Sequence, residues 1–162
     1  MHSNEGEKME LSPPYEVFLQ KEINELQRSY HKLLIICNGN SDALSDCMTS
    51  LGIPTINLNL ELSKALLKVP SSRRSRRAGE IVAEIIRECK SDKIYFNHIE
   101  LLFHPTLQLD PIRLFLNLSR NKVLIISWSG KFKNGVLTYA EFGHPEYREY
   151  KDIEAKVITL KE

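Results

Sequence analysis

The stretch LLIICNGNSDALSDCM, which runs from Leu33 to Met48, decides the predicted fold. Its first five residues form an unbroken apolar run that is too short for a helix and typical of a strand buried on both faces. A short polar loop follows, and Ser41-Asp42 predicts the start of a helix that ends near Gly52. A buried strand that leads through a polar loop into a helix can bind phosphate groups, because the N–H groups of the helix N-terminus point at the loop.

Strand and helix patterns alternate along the rest of the chain. Strands are predicted at residues 53–59, 93–97, 122–128, 136–141 and 155–160, and helices at 15–30, 60–69, 78–89 and 109–119. This alternation, with apolar central strands, predicts an α/β fold: a three-layer sandwich around a mostly parallel sheet. The strand at 136–141 is expected at the edge of that sheet. Residues 1–14 are expected to be a disordered N-terminal tail and 15–162 a single domain.

The composition is ordinary for a globular protein, with 42% hydrophobic and 27% charged residues among 162. A formal net charge of +1 argues against a protein that binds polyanions over its whole surface. The three cysteines lack the number and spacing of a disulfide framework or a zinc site, and Cys37 and Cys89 are expected to be buried thiols. The sequence has no signal-peptide core and no apolar run near the roughly 20 residues of a membrane span, so a cytoplasmic protein without membrane contact is predicted.

The frame GxxxxGK[ST] of nucleotide-binding P-loops can be laid on NGNSDALS, residues 38–45. The hydroxyl is present as Ser45, but Ala43 replaces the second glycine and Leu44 replaces the lysine that contacts the outer phosphates. Leucine cannot neutralise phosphate charge, yet backbone N–H groups can donate to phosphate whatever the side chains are. The candidate residues for binding ATP with magnesium, weakly at most, are Asn38, Gly39, Asn40, Ser41, Asp42, Ala43, Leu44 and Ser45. The alternative is an ordinary strand-loop-helix turn.

The strand KIYFN, residues 93–97, ends where P-loop enzymes that hydrolyse nucleotide carry an aspartate that orders magnesium. Asn97 stands there as a further candidate for nucleotide binding, although an amide is a poorer magnesium ligand than a carboxylate. Glu100 is the candidate catalytic base. Because the lysine and the aspartate are both replaced by uncharged residues, the pattern indicates a chain that no longer hydrolyses nucleotide. His98 and His104 flank Glu100 without the spacing of a metal site, so no metal is predicted.

Three longer stretches carry a more particular resemblance: IPTINLNLELSKALL at 53–67, NHIELLFHPTLQLDPIRLFLNLSRN at 97–121 and LTYAEFGHPEYREY at 137–150. With them the chain resembles the BrxF family, the small P-loop-containing proteins of type 3 BREX (bacteriophage exclusion) systems. The resemblance implies a P-loop NTPase-like fold and a cytoplasmic accessory subunit of a bacterial antiphage system, whose other members include a DNA methyltransferase and a large ATPase. The family usually has an intact GxxxxGK[ST] loop and an Asp-Asn-Ile-Glu strand end, and this chain departs from both at Leu44 and Asn97.

The segment SSRRSRR, residues 71–77, is a dense basic patch and is predicted to be a loop. Its arginines Arg73, Arg74, Arg76 and Arg77 are candidates for contact with DNA phosphates or with an acidic protein surface. The alternative is a solvated loop.

Two tyrosines near the C-terminus, Tyr147 and Tyr150, are candidate anchors for a protein partner, because tyrosine buries a large area and keeps a polar group. Equally, they could fasten the tail over the sheet. Ser127, at the end of a strand, is either a sensor of a terminal phosphate or a plain strand-end serine. Four further cations are either solvated or functional. Arg113 and Arg120 could contact a nucleotide bound to a neighbouring molecule, and Lys131 and Lys133 could supply the missing lysine.

These patterns favour a degenerate P-loop protein without ATPase activity that acts as a structural or regulatory partner, and the resemblance implies that its partners are other BREX proteins. One alternative is an active or ATP-switched P-loop ATPase that uses Ser45, backbone N–H groups and Glu100. A second is a DNA-contacting module that acts through the arginines of residues 73–77. Association with further copies of the chain is also open.

Overall fold

The computed structural model describes residues 10–11, 15–38 and 41–160. The strands are β1 (Glu10–Leu11), β2 (Leu33–Cys37), β3 (Thr55–Asn57), β4 (Lys93–His98), β5 (Val123–Trp128), β6 (Lys131–Lys133), β7 (Val136–Tyr139), β8 (Arg148–Lys151) and β9 (Lys156–Leu160). The helices are α1 (Glu16–Leu26), α2 (Ser41–Ser50), α3 (Leu58–Leu66), α4 (Arg74–Glu88) and α5 (Pro111–Leu118), with short 3-10 helices at Ser71–Arg73, Glu100–Phe103 and Pro105–Leu107.

Six strands form one parallel sheet in the order β1-β9-β2-β5-β4-β3. β2 pairs with β5 on one side and with β9 on the other, and all five of its residues are buried. An apolar run without alternation predicts this environment, because such a strand is covered on both faces. The prediction of an α/β fold around a mostly parallel sheet is confirmed.

Helices cover both faces of this sheet, and alternate residues of each strand belong to two separate hydrophobic cores. Leu34 and Ile36 of β2 lie in a core with α1 and α2, whereas Leu33 and Ile35 lie in a core with α3, α4 and α5. Successive side chains of a strand point to opposite faces, so one apolar run supplies both cores. The result is a layer of helices on each side of the sheet.

The strand order of the main sheet reverses at β2, so the carboxyl end of β2 marks a position where open α/β sheets bind ligands. The chain leaves β2 for the edge strand β3, returns through β4 and β5, and passes β2 to reach β9 on its other side. Open α/β sheets bind ligands at such a reversal of strand order, beyond the carboxyl ends of the strands. Because the strands are parallel, the loop after β2 and the ends of β4 and β5 all lie at this edge.

β6, β7 and β8 form a second, antiparallel sheet with β7 in the centre. The strand expected at 136–141 is β7, so its expected place at the edge of the main sheet is wrong. Leu137 and Tyr139 explain the difference, because both are buried in the core that contains α3, α4 and α5. Phe103 stacks on Tyr139 with ring centroids 3.7 Å apart, and Trp128 packs edge-on against Phe103. These rings fasten the small sheet to the end of β5.

The basic segment at 71–77 is helical, which corrects the prediction of a loop. A 3-10 turn follows Pro70, and α4 begins at Arg74. Arginine and alanine have high helix propensity, and Ala78 and Ile81 bury one face of α4. Burial of that face stabilises α4 as far as Arg74, and the 3-10 turn that contains Arg73 links it to Pro70.

Two helices begin at side-chain caps. Asn57 accepts a hydrogen bond from the N–H of Leu60 at 3.0 Å, which ends the strand predicted at 53–59 and starts α3 two residues early. Asp110 accepts from the N–H of Arg113 at 3.3 Å ahead of Pro111, so a cap and a first-turn proline start α5 two residues after the predicted beginning at 109.

The predicted N-terminal tail is described only at Glu10 and Leu11, which form β1 and pair with Thr159 and Leu160 of β9. Structure at these two residues differs from the expected disorder, because the free edge of β9 offers partners for a further parallel strand. The rest of that prediction, residues 1–9 and 12–14, lies outside the described residues.

Candidate functional site

The carboxyl edge of the main sheet brings together residues that are distant in the sequence. Phe96 of β4 pairs with Ile126 of β5, so the residues that follow, Asn97 and Ser127, stand side by side where the two strands end. Ser45 approaches the same place from α2. The fold therefore assembles three of the residues that sequence reasoning singled out, from three elements.

Tyr95 lies at the buried centre of this group, and we refer to Ser45, Tyr95, Asn97 and Ser127 as the edge cluster. The side chain of Tyr95 is fully buried. Burial raises the pKa of Tyr95, while the nearby hydroxyl groups of Ser127 and Ser45 oppose that shift. Within the described residues, the Tyr95 hydroxyl and Asn97 Oδ1 have no hydrogen-bond partner of standard geometry. Buried polar atoms of this kind call for a water or a polar ligand group.

The edge cluster consists of hydroxyl and amide groups. Such groups hydrogen-bond, but none of them supplies the positive charge that stabilises a transferring phosphoryl group. An amide oxygen is also a poorer magnesium ligand than the carboxylate usual at the strand end. The edge cluster thus offers hydrogen-bonding groups that carry no formal charge.

Leu44 occupies a core position. Its side chain is fully buried, in the same core as Leu19 and Ile23 of α1. α2 already begins at Ser41, so residues 41–45 of the P-loop frame are helical and only 38–40 remain for the loop. The position that a P-loop lysine would use to reach phosphate is here part of the packing between helix and sheet.

Apart from Leu44 and Ser45, the residues of the P-loop frame at 38–45 lie at the surface, at the start of α2 or outside the described residues. Asn38 has a left-handed backbone with φ of 59°, and its Nδ2 donates to the carbonyl of Leu160 at 3.2 Å. This bond ties the start of the loop to the end of β9. Asp42 and Ala43 are exposed. The candidates Gly39 and Asn40 fall in the part of the chain that the structure leaves undescribed.

Glu100, the candidate base, is held by a neighbour on α3. Its Oε1 accepts a hydrogen bond from Asn59 Nδ2 at 2.9 Å, while Asn59 Oδ1 accepts from the N–H of Leu101 at 2.8 Å. His98 Nδ1 lies 3.8 Å from the same carboxylate oxygen. These contacts anchor the 3-10 turn that follows β4 to the first turn of α3. A carboxylate engaged in this way serves to fasten two elements together.

No metal centre accompanies these groups: in the described part of the chain, no three His, Cys, Asp or Glu side chains cluster to hold an ion. His104 has a local role, because its Nδ1 accepts from the N–H of Thr106 at 3.3 Å. The buried thiol of Cys37 lies in the core, where burial raises its pKa to about 12. Cys89 is half-buried.

The four arginines of residues 73–77 differ in their surroundings. Arg73 and Arg76 are exposed. Arg74 Nε donates to the carbonyl of Val69 at 3.0 Å, and Arg77 forms an ion pair with Glu80. Helical spacing sets Arg73, Arg76 and Arg77 on one side of this segment, and Arg73 and Arg77 line the same groove.

The two candidate anchor tyrosines have different positions. Tyr150 is half-buried beside Trp128, and its hydroxyl donates to Asp110 Oδ1 at 3.2 Å, which fastens β8 to the cap of α5. Burial, and after it the carboxylate of Asp110, raises the pKa of Tyr150. Tyr147 lies further out, edge-on to Phe142 with centroids 5.6 Å apart. Phe142 is 91% exposed.

The four other cations singled out from the sequence either make local contacts or lie exposed on β6. Arg113 pairs with Asp110 at 3.9 Å, Arg120 lies 4.8 Å from the ring centroid of Tyr30, and Lys131 and Lys133 are exposed on β6.

Sequence reasoning missed two residues of this region, Asn59 and Tyr95. In the sequence, Asn59 falls at the end of the strand predicted at 53–59 and has no role there. Tyr95 is predicted only as an apolar residue of the strand at 93–97. A signal for Tyr95 does exist, since a buried tyrosine hydroxyl normally requires a partner. Asn59 has no such signal, because its partner Glu100 is 41 residues away.

No helix among the described residues combines the length and apolar character needed to cross a membrane. Comparisons of the chain with protein-family models, with curated proteins and with solved structures found no match.

Proposed function

We propose that this chain is a non-catalytic, P-loop-like accessory subunit of a bacterial BREX defence system, a structural or regulatory partner of the other BREX proteins. The observation that carries the non-catalytic part is the full burial of Leu44 in a hydrophobic core. A side chain in that position contributes packing energy and contacts no ligand. The defence assignment rests on the sequence resemblance to the BrxF family.

Two further features support a degenerate nucleotide site. The polar groups of the edge cluster lie beyond β4 and β5, next to the strand at which the sheet order reverses. Asn97 stands where hydrolysis needs a carboxylate, and Glu100 is hydrogen-bonded to Asn59. The location is therefore that of a ligand site in an α/β sheet, while its charged groups are missing or engaged elsewhere.

Calorimetric titration with ATP and magnesium, together with a steady-state ATPase assay, tests the non-catalytic part. We expect no turnover and no binding at micromolar concentrations. The matched variant is Asn97→Asp, which changes an amide into a carboxylate of the same shape and restores the usual magnesium ligand. ATP turnover by the natural chain that Glu100→Gln abolishes would overturn the proposal.

Complementation tests the defence part. In a bacterium that carries the whole system, deletion of this chain is expected to abolish phage resistance. Plasmid-borne wild type, Ser45→Ala and Glu100→Gln are all expected to restore it, because a non-catalytic subunit needs neither residue for chemistry. Unchanged phage plating after deletion would contradict the assignment to the defence system. Failure of Glu100→Gln alone, with the variant folded and abundant, would point to catalysis.

One observation favours a second candidate, an ATP-switched subunit. The buried Tyr95 hydroxyl and Asn97 Oδ1 lack a hydrogen-bond partner of standard geometry among the described residues, and a bound ligand group would supply one. Under that function, ATP raises the melting temperature of the wild type, and Ser45→Ala removes the effect. A melting temperature that does not change with ATP would exclude the ATP-switched subunit and leave the structural role.

The DNA-contacting alternative rests on the exposed arginines Arg73 and Arg76. It requires that neutralising them lowers DNA affinity and flattens the salt dependence of binding. An unchanged salt slope removes it.

A further inference from the structure

The loop at residues 140–147, which we call the Phe142 loop, exposes an aromatic side chain and is braced by its own backbone hydrogen bonds. Phe142 is 91% exposed and packs edge-on only against Tyr147 among its aromatic contacts. The N–H of His144 donates to the carbonyl of Glu141 at 2.9 Å, and the N–H of Tyr147 to the carbonyl of His144 at 3.0 Å. A loop held in one shape loses little conformational entropy on docking, so its exposed ring is a suitable interface anchor.

The surroundings of Phe142 are acidic. Residues 141–149 contain Glu141, Glu146 and Glu149 against Arg148, which gives a formal charge of −2 with histidine neutral, and Glu149 is paired with Lys151 at 3.9 Å. Arg148 Nη2 donates inwards to the carbonyl of Leu109 at 3.2 Å, so it faces the protein body. The loop that carries the anchor ring therefore has Glu141 and Glu146 as its charged residues.

A groove of complementary character lies between α3 and α4. It has a volume of about 440 Å³, and Ala65, Val69 and Ile81 form part of its apolar lining. The charged residues that line it are Lys68, Arg73, Arg77 and Glu84, with a formal sum of +2, and Arg77 is paired with Glu80 of the same helix. A cavity of this size accommodates an aromatic side chain. Leu67, next to Lys68 at the end of α3, is 79% exposed and lines an adjoining hollow between the same helices.

We propose that the chain associates head-to-tail with a second copy of itself, with the Phe142 loop of one molecule docked in the α3–α4 groove of the next. An acidic rim around an apolar anchor meets a basic rim around an apolar groove, and complementary charge of this kind steers and selects the partner. One chain carries both halves, so every copy offers one loop and one groove. A head-to-tail contact of this type closes into a ring or continues as a filament. The inference does not depend on the defence assignment.

Sedimentation velocity of the purified full chain over a wide concentration range tests the proposal. We expect concentration-dependent association that Phe142→Ala weakens by at least about tenfold, the loss usual for an anchor residue. Arg73→Glu, on the groove, is expected to weaken it similarly, and added salt to weaken it further. The matched control is Val17→Ala, because Val17 is an equally exposed apolar residue, at 83%, on the distant helix α1. A monomer at every concentration, or association unaffected by Phe142→Ala, overturns the proposal.

A mixing experiment tests the head-to-tail geometry. Phe142→Ala keeps an intact groove, and Arg73→Glu keeps an intact loop, so an equimolar mixture restores one functional contact per pair. The expected species is a heterodimer that grows no further, which neither variant forms alone. Absence of the heterodimer while the wild type associates overturns the loop-in-groove pairing. Loss of DNA binding in Arg73→Glu with self-association unchanged would assign the groove to nucleic acid and also overturn it.

Discussion

Asn59 holds both the side chain of Glu100 and the backbone of Leu101. Its Nδ2 donates to the Glu100 carboxylate at 2.9 Å and its Oδ1 accepts from the N–H of Leu101 at 2.8 Å. One amide thus joins α3 to the 3-10 turn after β4, across 41 residues of sequence. The residue that sequence reasoning selects as a catalytic base is thereby part of the framework.

Asn59→Ala is expected to lower the free energy of unfolding by about 1 to 3 kcal/mol, because two hydrogen bonds are lost and the N–H of Leu101 loses its partner. Urea denaturation measures the change. Asn117→Ala is the control, since Asn117 is exposed on α5 and its removal should change stability by less than about 0.5 kcal/mol. Equal effects of the two variants would show that the Asn59 bonds add nothing.

Leu44→Lys is expected to destabilise the chain by about 3 to 5 kcal/mol, because a charge without a partner enters a hydrophobic core. Thermal and urea denaturation give the magnitude. Leu67→Lys is the control, since Leu67 is 79% exposed and should accept lysine at almost no cost. If Leu44→Lys is as stable as the wild type, Leu44 faces solvent or a ligand, and the core assignment is wrong.

Gly130→Ala is expected to disrupt the attachment of the small sheet. A Cβ at Gly130 would lie 1.7 Å from the carbonyl oxygen of Thr138 and 2.6 Å from Trp128 Nε1, which donates to that carbonyl. We expect a loss of at least about 3 kcal/mol, in the range of severe overpacking, together with a changed tryptophan fluorescence.

The matched control for that variant is Gly79→Ala in α4. A Cβ there would meet Leu109 and Leu114 at 3.8 Å, which is ordinary contact. Alanine also favours a helix interior over glycine, so Gly79→Ala should stabilise the chain by about 0.5 to 1 kcal/mol. A stable Gly130→Ala with unchanged fluorescence would contradict the close approach.

Alkaline pH is expected to destabilise the fold through Cys37. Burial raises the pKa of its thiol from 9.0 to about 12, so the folded state keeps a proton that the unfolded state releases. The contribution of this thiol is complete below pH 9 and is lost as the pH rises towards 12. Near about pH 11 the loss is on the order of 2 kcal/mol. Denaturation midpoints of wild type and Cys37→Ala at neutral and alkaline pH measure it, and parallel pH dependences would refute it.

Local patterns in the sequence are enough to predict the α/β class and the place of most elements. The apolar runs of β2 and β5 can be satisfied only by burial on both faces, and Asp110-Pro111 specifies where α5 begins through local hydrogen bonding. These signals are local, because periodicity, caps and helix propensity act over a few residues. The same reasoning located Asn97 and Ser127 at strand ends, and parallel pairing of β4 and β5 then set them side by side.

Tertiary structure alone decided what several residues do. Leu44 stands at the lysine position of a P-loop frame in sequence, and packing in one core with α1 makes it a buried residue. The composition of residues 71–77 predicts a loop, but burial of Ala78 and Ile81 extends α4 back into this segment. The hydrogen bonds of Asn59 to Glu100 join residues that only the fold brings together. In each case the deciding energy comes from contacts between distant segments, which no local pattern encodes.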